Sequence, residues 1–410
     1  MIRLEDLITA YYLARQNKRR SRDSVEFEMR LEARLSKLCQ EVNDRTYRAN
    51  QNYTFVVTRP KPREIFAAEM ELRTLHHYIH WRINPLLEQY YSDRTYNNRI
   101  GKGGWRCIQQ VQKDMREVSN GWTTPAWVIK TDISGCFPNA NKDIAYRLLA
   151  DFIKEHYEGE DKDDILWLIM IMVYANPQNH CYRRSARHMW QYVEPEKSLF
   201  HKDAQHGLPI GNLLSQHLMN LYYTEIDKWA TEECGLHYCR FVDDMYFVTD
   251  NKETFLAYVL PELRKRLSAI DSRLNERKFY CQEVKRGVEC LGSVIKCERI
   301  YLGNRTVHKA FNRISELNGI RNKETNVRRI IDTFNSYSGM LKTRNGFKTL
   351  MRLKDALSEG WWQYVEFDEY RLCLTVKEEY NRRNQLNRKY NLKLKHYDTE
   401  RKRRSCSKAA

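Results

Sequence analysis

Three things are missing from this sequence: paired cysteines, a long apolar run, and a glycine loop of the kind that wraps a nucleotide's phosphates. Each absence removes a class of function. Eleven cysteines occur in 410 residues, scattered without a disulfide-like framework and without one Cys-x-x-Cys. Cys234, His237 and Cys239 come closest to a cluster, with Cys290 and Cys297 far along. A structural zinc needs tighter, paired spacing. No signal-peptide pattern opens the chain, so the expected location is a reducing cytoplasm. The longest strongly apolar run, Ile165 to Val173, falls well short of the ~20 residues that cross a bilayer, and no membrane partner is expected. Arg99-Ile100-Gly101-Lys102-Gly103-Gly104 is a flexible basic loop, but it lacks GxxxxGK[ST]. It reads instead as a place where backbone approaches a nucleic-acid strand.

Positive charge and aromatic rings are abundant. Lys and Arg number 70 against 53 acids, for a net charge of +17 and 12% aromatic residues with 26 tyrosines. The basic excess is uneven: residues 376–410 hold twelve Lys or Arg against four acids. A purely electrostatic disordered binder would carry fewer rings. The combination points to a polyanionic partner whose bases can stack. The length allows a large core divided into two or three compact units.

Along the chain, residues 1–50 read as helical: Leu4, Leu7, Ile8, Tyr11 and Tyr12 recur at helical spacing, then Phe27, Leu31, Leu35 and Leu38 after a basic break at Lys18-Arg19-Arg20. Tyr53 to Val57 is a strand by composition. Arg59-Pro60-Lys61-Pro62-Arg63-Glu64-Ile65 follows, where prolines stiffen an extended segment and fix the aim of Lys61 and Arg63. Preorganised cations of this kind suit a triphosphate clamp, and an exposed charged loop explains them equally. A helix is expected from Ala67 to about Leu87, with His76 and His77 as surface or buried hydrogen-bonding groups. The block 141–206 should contain two helices (Ile144 to His156, Ile165 to Tyr174) and a polar loop with Arg183, Arg184, Arg187 and Trp190. Gly207 to Gln216 leads into an apolar helix, with Gly211 leaving room for a ligand or strand. Residues 253–279 read as helical, Cys290 to Ile295 and Arg299 to Leu302 as strands, and Val307 to about Tyr370 as a helical bundle. A basic tail ending Arg401-Lys402-Arg403-Arg404 closes the chain.

The centre of the argument is Cys239-Arg240-Phe241-Val242-Asp243-Asp244-Met245-Tyr246-Phe247-Val248. Two aspartates lie between apolar and β-branched runs, the pattern of a hairpin with acid at its tip. Ala126 to Asp132 is a second apolar strand that ends in an acid, with Phe137 five residues on. A strand-end Asp ordinarily caps the next helix. Beside Asp243 it becomes the third carboxylate of a divalent-metal site.

These motifs resemble a family. Asp132-x4-Phe137, Gly211-x3-Ser215, Phe241-Val242-Asp243-Asp244 and Leu291-Gly292, in that order over about 160 residues, resemble the palm of reverse transcriptases, with Phe241 where that family usually has Tyr. The closer resemblance covers nearly the whole chain and is to the reverse transcriptases of diversity-generating retroelements. It rests on Pro62 to Ala68, His76-His77, Gly101-Lys102-Gly103, Lys197-Ser198-Leu199-Phe200 and Leu208-Pro209-Ile210-Gly211-Asn212 with Ser215-Gln216. Most reverse transcriptases have Gln before the Gly and Pro after the Ser; Ile210 and Gln216 replace them, as in that class. Cys136 departs from it, standing where a second Phe is common. Retron enzymes are disfavoured by the lack of NAxxH and VTG, and group II intron proteins by Gln216 and the lack of a Cys-paired endonuclease module.

The resemblance implies an α+β right-hand polymerase: an N-terminal helical extension (1–50), fingers (51–131), palm (132–300) with an insertion at about 141–206, a helical thumb (301–375) and the basic tail (376–410). It implies that Asp132, the Ile133 carbonyl, Asp243 and Asp244 hold two Mg²⁺, with Mn²⁺ as a substitute. Lys61, Arg63, Phe137, Ile210, Gly211, Ser215 and Gln216 would meet the dNTP. Phe241, Leu291, Gly292, Lys102 and Arg99 would meet primer or template, and Lys278 would protonate pyrophosphate. The implied activity is RNA-directed DNA synthesis that copies a template-repeat RNA into adenine-mutagenised cDNA for mutagenic retrohoming, with a small basic accessory variability protein as partner. Two alternatives stay open: a CRISPR-associated or abortive-infection reverse transcriptase, and a non-catalytic RNA-binding palm.

Overall fold

A computed structural model describes residues 1–16, 18, 21–49, 52–58 and 61–382. Arg19, Arg20, Arg59, Pro60 and the tail from residue 383, all singled out above, lie outside the described residues. The strands in chain order are β1 (Asn52–Val57), β2 (Arg63–Ala68), β3 (Trp127–Asp132), β4 (Cys181–Arg183), β5 (His237–Phe241), β6 (Asp244–Thr249), β7 (Tyr280–Glu283), β8 (Val288–Cys290), β9 (Ser293–Lys296), β10 (Arg299–Leu302), β11 (Val365–Asp368) and β12 (Cys373–Val376). The fold is α+β. It divides into two compact units, Met1–Val284 and Lys285–Ala410.

The first unit is built on an antiparallel sheet of order β5-β6-β3-β7. Neighbouring residues Val128 and Ile129 are both fully enclosed, as are Met245, Tyr246 and Phe247. Such continuous apolar runs bury both faces of a sheet. The helices Lys142–His156 and Leu213–Tyr222 contribute Leu149, Ile153, Leu214 and Leu218 to the same core as Ile129 and Phe247. The N-terminal helices join it too: Leu7 and Tyr11 of Leu4–Arg15, and Leu35, Leu38 and Val42 of Leu31–Asn43.

A smaller sheet has the order β2-β1-β4. Its strand β2 runs on through Ala67 and Ala68, where a helix was expected to begin; the helix is Met70–Tyr90. Pairing decides this, because β2 is matched residue for residue with β1 from Asn52↔Ala68 to Val57↔Arg63. Strand β4, parallel to β1, has no counterpart in the sequence reading. The segment after it is anchored on β2, where the buried Glu64 carboxylate accepts from Trp190 Nε1 (2.7 Å), Ser198 Oγ (2.8 Å) and Leu199 N (2.9 Å).

The helix expected through residue 279 stops at Ala269. The segment beyond it bonds to the end of β3 instead: Asn275 N donates to Asp132 O (2.7 Å), and Ser134 N to Arg273 O (2.9 Å).

In the second unit, Cys290 to Ile295 is not one strand. Leu291 and Gly292 form the turn between β8 and β9, with φ of 44° and 75°. Three helices, Asn304–Asn318, Val327–Lys342 and Phe347–Asp355, pack around Trp361, Ile314, Ile330 and Phe334. The expected helix through Tyr370 gives way to the hairpin β11–β12. Asn335 clamps that hairpin by both edges of its amide, to Leu374 N (2.7 Å) and Leu374 O (2.9 Å).

Candidate active site

The three acids meet. Asp132 ends β3 and Asp244 begins β6, and the two are direct partners across the antiparallel ladder. Asp243 is held by its backbone, its carbonyl accepting from Ile133 N at 2.9 Å. The β5–β6 hairpin closes through Phe241↔Asp244, leaving Val242 and Asp243 as its turn. Val242 adopts φ of +59°, which is rare and strained for a β-branched residue. Its surroundings hold it there. Val242 N donates to Asn97 Oδ1 (2.9 Å), and Arg240 Nη1 donates to Val242 O (3.3 Å).

Electrostatics mark the same spot. Burial, then the charges of Asp244 and Asp132, push the Asp243 carboxyl up to about 6. Two lysines neutralise its neighbours: Lys278 Nζ lies 2.5 Å from Asp132 Oδ2, and Lys130 Nζ 2.7 Å from Asp244 Oδ1. Burial works against the Lys278 charge, but the bond to Asp132 and the fields of Asp243 and Asp244 leave its pKa raised overall. Crowded carboxylates that recruit cations from the chain itself are suited to divalent metal. Lys130 was missed in the sequence, although strand alternation puts it on the face of Asp132. Asn275, whose amide donates to Asp132 Oδ1 at 3.3 Å, gave no local signal.

Phe137 follows in the loop after β3, partly buried against the core. That loop is tied to the next motif, with Leu208 N donating to Phe137 O and Gly207 N to Ala140 O, both at 2.9 Å. Ile210 in turn docks on the free edge of β2, its carbonyl accepting from Phe66 N at 2.9 Å. Gly211 is required at this approach. Its φ is +117°, and a Cβ would lie 2.6 Å from Phe66 O. Arg63 and Lys61 are exposed at the start of β2. Ser215 is buried in the helix Leu213–Tyr222, and Gln216 is partly covered.

Other expected contacts fall elsewhere. Arg99 does not face a strand: its guanidinium donates to Glu88 Oε2 (2.9 Å), Glu88 O (2.9 Å) and Ser92 O (2.6 Å), and its side chain is 5% exposed. It braces its own loop. Lys102 Nζ donates to Asp93 O (2.8 Å) and sits over the Tyr96 ring. Phe241 is partly exposed at the end of β5. Leu291 and Gly292 belong to the second unit.

A separate group, Asp114, Glu117 and His237, brings three donor atoms within 4.8 Å of one another. Arg94 Nη1 already contacts both Asp114 oxygens at 3.1 Å.

No curated protein sequence matches the chain. Among solved structures, it is similar to apo telomerase from Candida tropicalis, at 15% identity over 66% of this chain and 51% of that one, with a TM-score of 0.44. A version truncated from the C-terminal domain gives 13% identity, 60% and 53% coverage, and a TM-score of 0.42. Telomerase from Candida albicans, in complex with the TWJ fragment of telomeric RNA, gives 11% identity, 82% and 64% coverage, and a TM-score of 0.44. The chain spans about half the length of the Candida tropicalis proteins. The family model described as reverse transcriptase (RNA-dependent DNA polymerase) matches residues 58–295, a stretch that contains all three acids and the Ile210 loop. The chain therefore belongs to the reverse transcriptase family.

Proposed function

We propose that this polymerase uses Asp132, Asp243 and Asp244 as its catalytic acids and makes error-prone cDNA from a structured RNA, as in a diversity-generating retroelement. The observation that carries the catalytic part is the direct pairing of Asp132 with Asp244 on neighbouring strands, with Asp243 bonded alongside. Those carboxylates, with the Ile133 carbonyl, would hold two Mg²⁺ or Mn²⁺. Bound there, the ions supply activation of the primer 3′-hydroxyl and neutralisation of the triphosphate. Arg63 and Lys61, exposed at the start of β2, bind the triphosphate of the incoming dNTP, Arg63 by bridging two oxygens. Phe137 lies under the sugar and excludes a 2′-hydroxyl. Lys278, kept protonated beside the acids, is placed to give a proton to pyrophosphate. Lys102 and Phe241 contact template or primer; Leu291 and Gly292, in the second unit, are a separate primer contact in this reading.

The subclass reading rests on Ile210 and Gln216. A branched alkyl group neither donates nor accepts, so geometry at the nascent base pair is policed less strictly than by Gln. Template-repeat RNA and a small basic accessory protein are the partners that this reading names. Fingers, palm and thumb remain as assigned from the sequence.

Primed-RNA extension tests the proposal. Asp243→Asn should abolish dNTP incorporation; retained synthesis would remove the acids from the mechanism, and a parent that makes no product would favour a non-catalytic RNA-binding palm. Sequencing of the cDNA should show errors concentrated opposite template adenine, and Ile210→Gln should lower their frequency. An even error spectrum would favour a CRISPR-associated or abortive-infection type.

A further inference from the structure

Next to Gly211, Asn212 lines a small cavity together with Asn52 of β1 and His76 of the helix Met70–Tyr90; Leu72, Met172 and Pro209 supply apolar wall. The three polar residues are buried, at 6%, 2% and 5% exposure. Four of their atoms, Asn212 Oδ1, Asn52 Oδ1 and both ring nitrogens of His76, have no hydrogen-bond partner among the described residues. Buried polar atoms are rarely left so. Here they gather around one space whose volume, for the centre of a water molecule, is about 10 Å³. That is room for a single water with polar partners on several sides.

A single water meets three of these four atoms. Amide oxygens only accept, and burial keeps the His76 ring neutral, with its pKa near 3, so the imidazole offers one N–H and one lone pair. A water can donate to both amide oxygens and accept from the ring. A cation could be met by the oxygens and the ring lone pair, but no lining residue carries a negative charge to offset it.

We propose that this cavity holds one buried water bonded to His76, Asn52 and Asn212, and that His76 acts through it as a positioning residue for the loop carrying Ile210. The loop is otherwise fixed on its other side, by Phe66 N donating to Ile210 O at 2.9 Å. Asn212 is two residues from Ile210, so the water ties the nucleotide-facing loop to β1 and to the long helix. The effect on nucleotide choice rests on the reading of Ile210 given above; the water itself does not.

Two measurements test it. A crystal structure of the full chain should show one ordered solvent molecule within hydrogen-bond distance of all three residues. A dry cavity, or one closed by a rotated side chain, overturns the proposal. In single-nucleotide extension on primed RNA, His76→Leu should raise KM for the correct dNTP about tenfold, a change of one decade in affinity, with kcat changed by less than about twofold. His76→Gln, which keeps a donor and an acceptor, should stay within about twofold of the parent in both constants. Equal effects from Leu and Gln, or a loss confined to kcat, overturn the positioning role. If His76→Leu fails to fold by circular dichroism, Asn52→Ala takes its place in the same assay with the same expectation. If Ile210→Gln changes KM or errors while the cavity variants do not, only this inference falls. If Ile210→Gln changes nothing while the ordered solvent is seen, the Ile210 reading falls instead.

Discussion

Arg240 precedes the Val242-Asp243 turn by two residues, and with Asp227 it forms an ion pair whose side chains are both 0% exposed. Asp227 also accepts from Tyr238 OH (2.7 Å) and Thr95 Oγ1 (2.6 Å), so three side chains depend on it. Removing one partner of such a pair leaves a buried charge without compensation. Asp227→Ala should destabilise the first unit by about 3–5 kcal/mol, read from urea unfolding. Asp243 gives a pH prediction of its own. Its carboxyl is raised from 3.8 to about 6 in the folded chain, so it binds its proton more tightly folded than unfolded. That contribution to stability is complete below 3.8 and is lost as pH rises through about 6. In chelator, the melting temperature of the parent should fall across this window relative to that of Asp243→Asn. Single residues were unevenly legible. The acids stood out because their flanking runs could only be buried strands. Arg99 misled because its bonds to Glu88 and Ser92 exist only once the loop has folded back on the preceding helix.

Among elements, the Asp-Asp hairpin and the strand ending in Asp132 could be read directly, since their short continuous runs are rich in β-branched and aromatic residues and stop at turn-forming acids. Strands β4 and β11–β12 could not. They are three or four residues long, too short for a period, and they persist through distant clamps such as Glu64 and Asn335. The segment after Ala269, with five charged residues in ten and Leu274 between them, looked like a continuation of the helix, and was won over by the end of β3. A pH-dependent clamp holds it on a second side: His206 Nδ1 contacts Asp203 Oδ1 at 2.8 Å, and Nε2 contacts Asp271 Oδ2 at 2.9 Å. The bond to Asp271, opposed by burial and aided by Asp203, raises the His206 pKa above 6.5. Its stabilisation is therefore full below 6.5 and fades as pH rises through the raised folded value. Limited proteolysis should cut the 203–207 loop faster at pH 9 than at pH 6, and His206→Gln should erase the difference.

The whole molecule is a polycation, at +17, and its affinity for RNA should be governed by counterion release. Log affinity should fall linearly with log salt, by about 0.7 per phosphate neutralised on a single strand. Residues 383–410 carry ten Lys or Arg against two acids. Ending the chain at Arg382 should flatten that slope by several units while leaving the primed extension rate at saturating RNA within about twofold. An unchanged slope would assign the binding charge to the rest of the chain. Composition announced this partnership at once, whereas the division after Val284 left no mark, because no linker of distinctive residues separates the two units.

The Ile210 loop, proposed to meet the nucleotide, and the three acids, proposed to join it, are mounted on separate frames. Ile210 is stitched to the edge of β2, in the sheet β2-β1-β4, while the carboxylates ride on β3 and β6 in the other. If the proposed roles hold, a substitution in the loop can alter accuracy while leaving the strands that carry the acids untouched, and Ile210→Gln should change errors without changing the stability of the β3–β6 ladder.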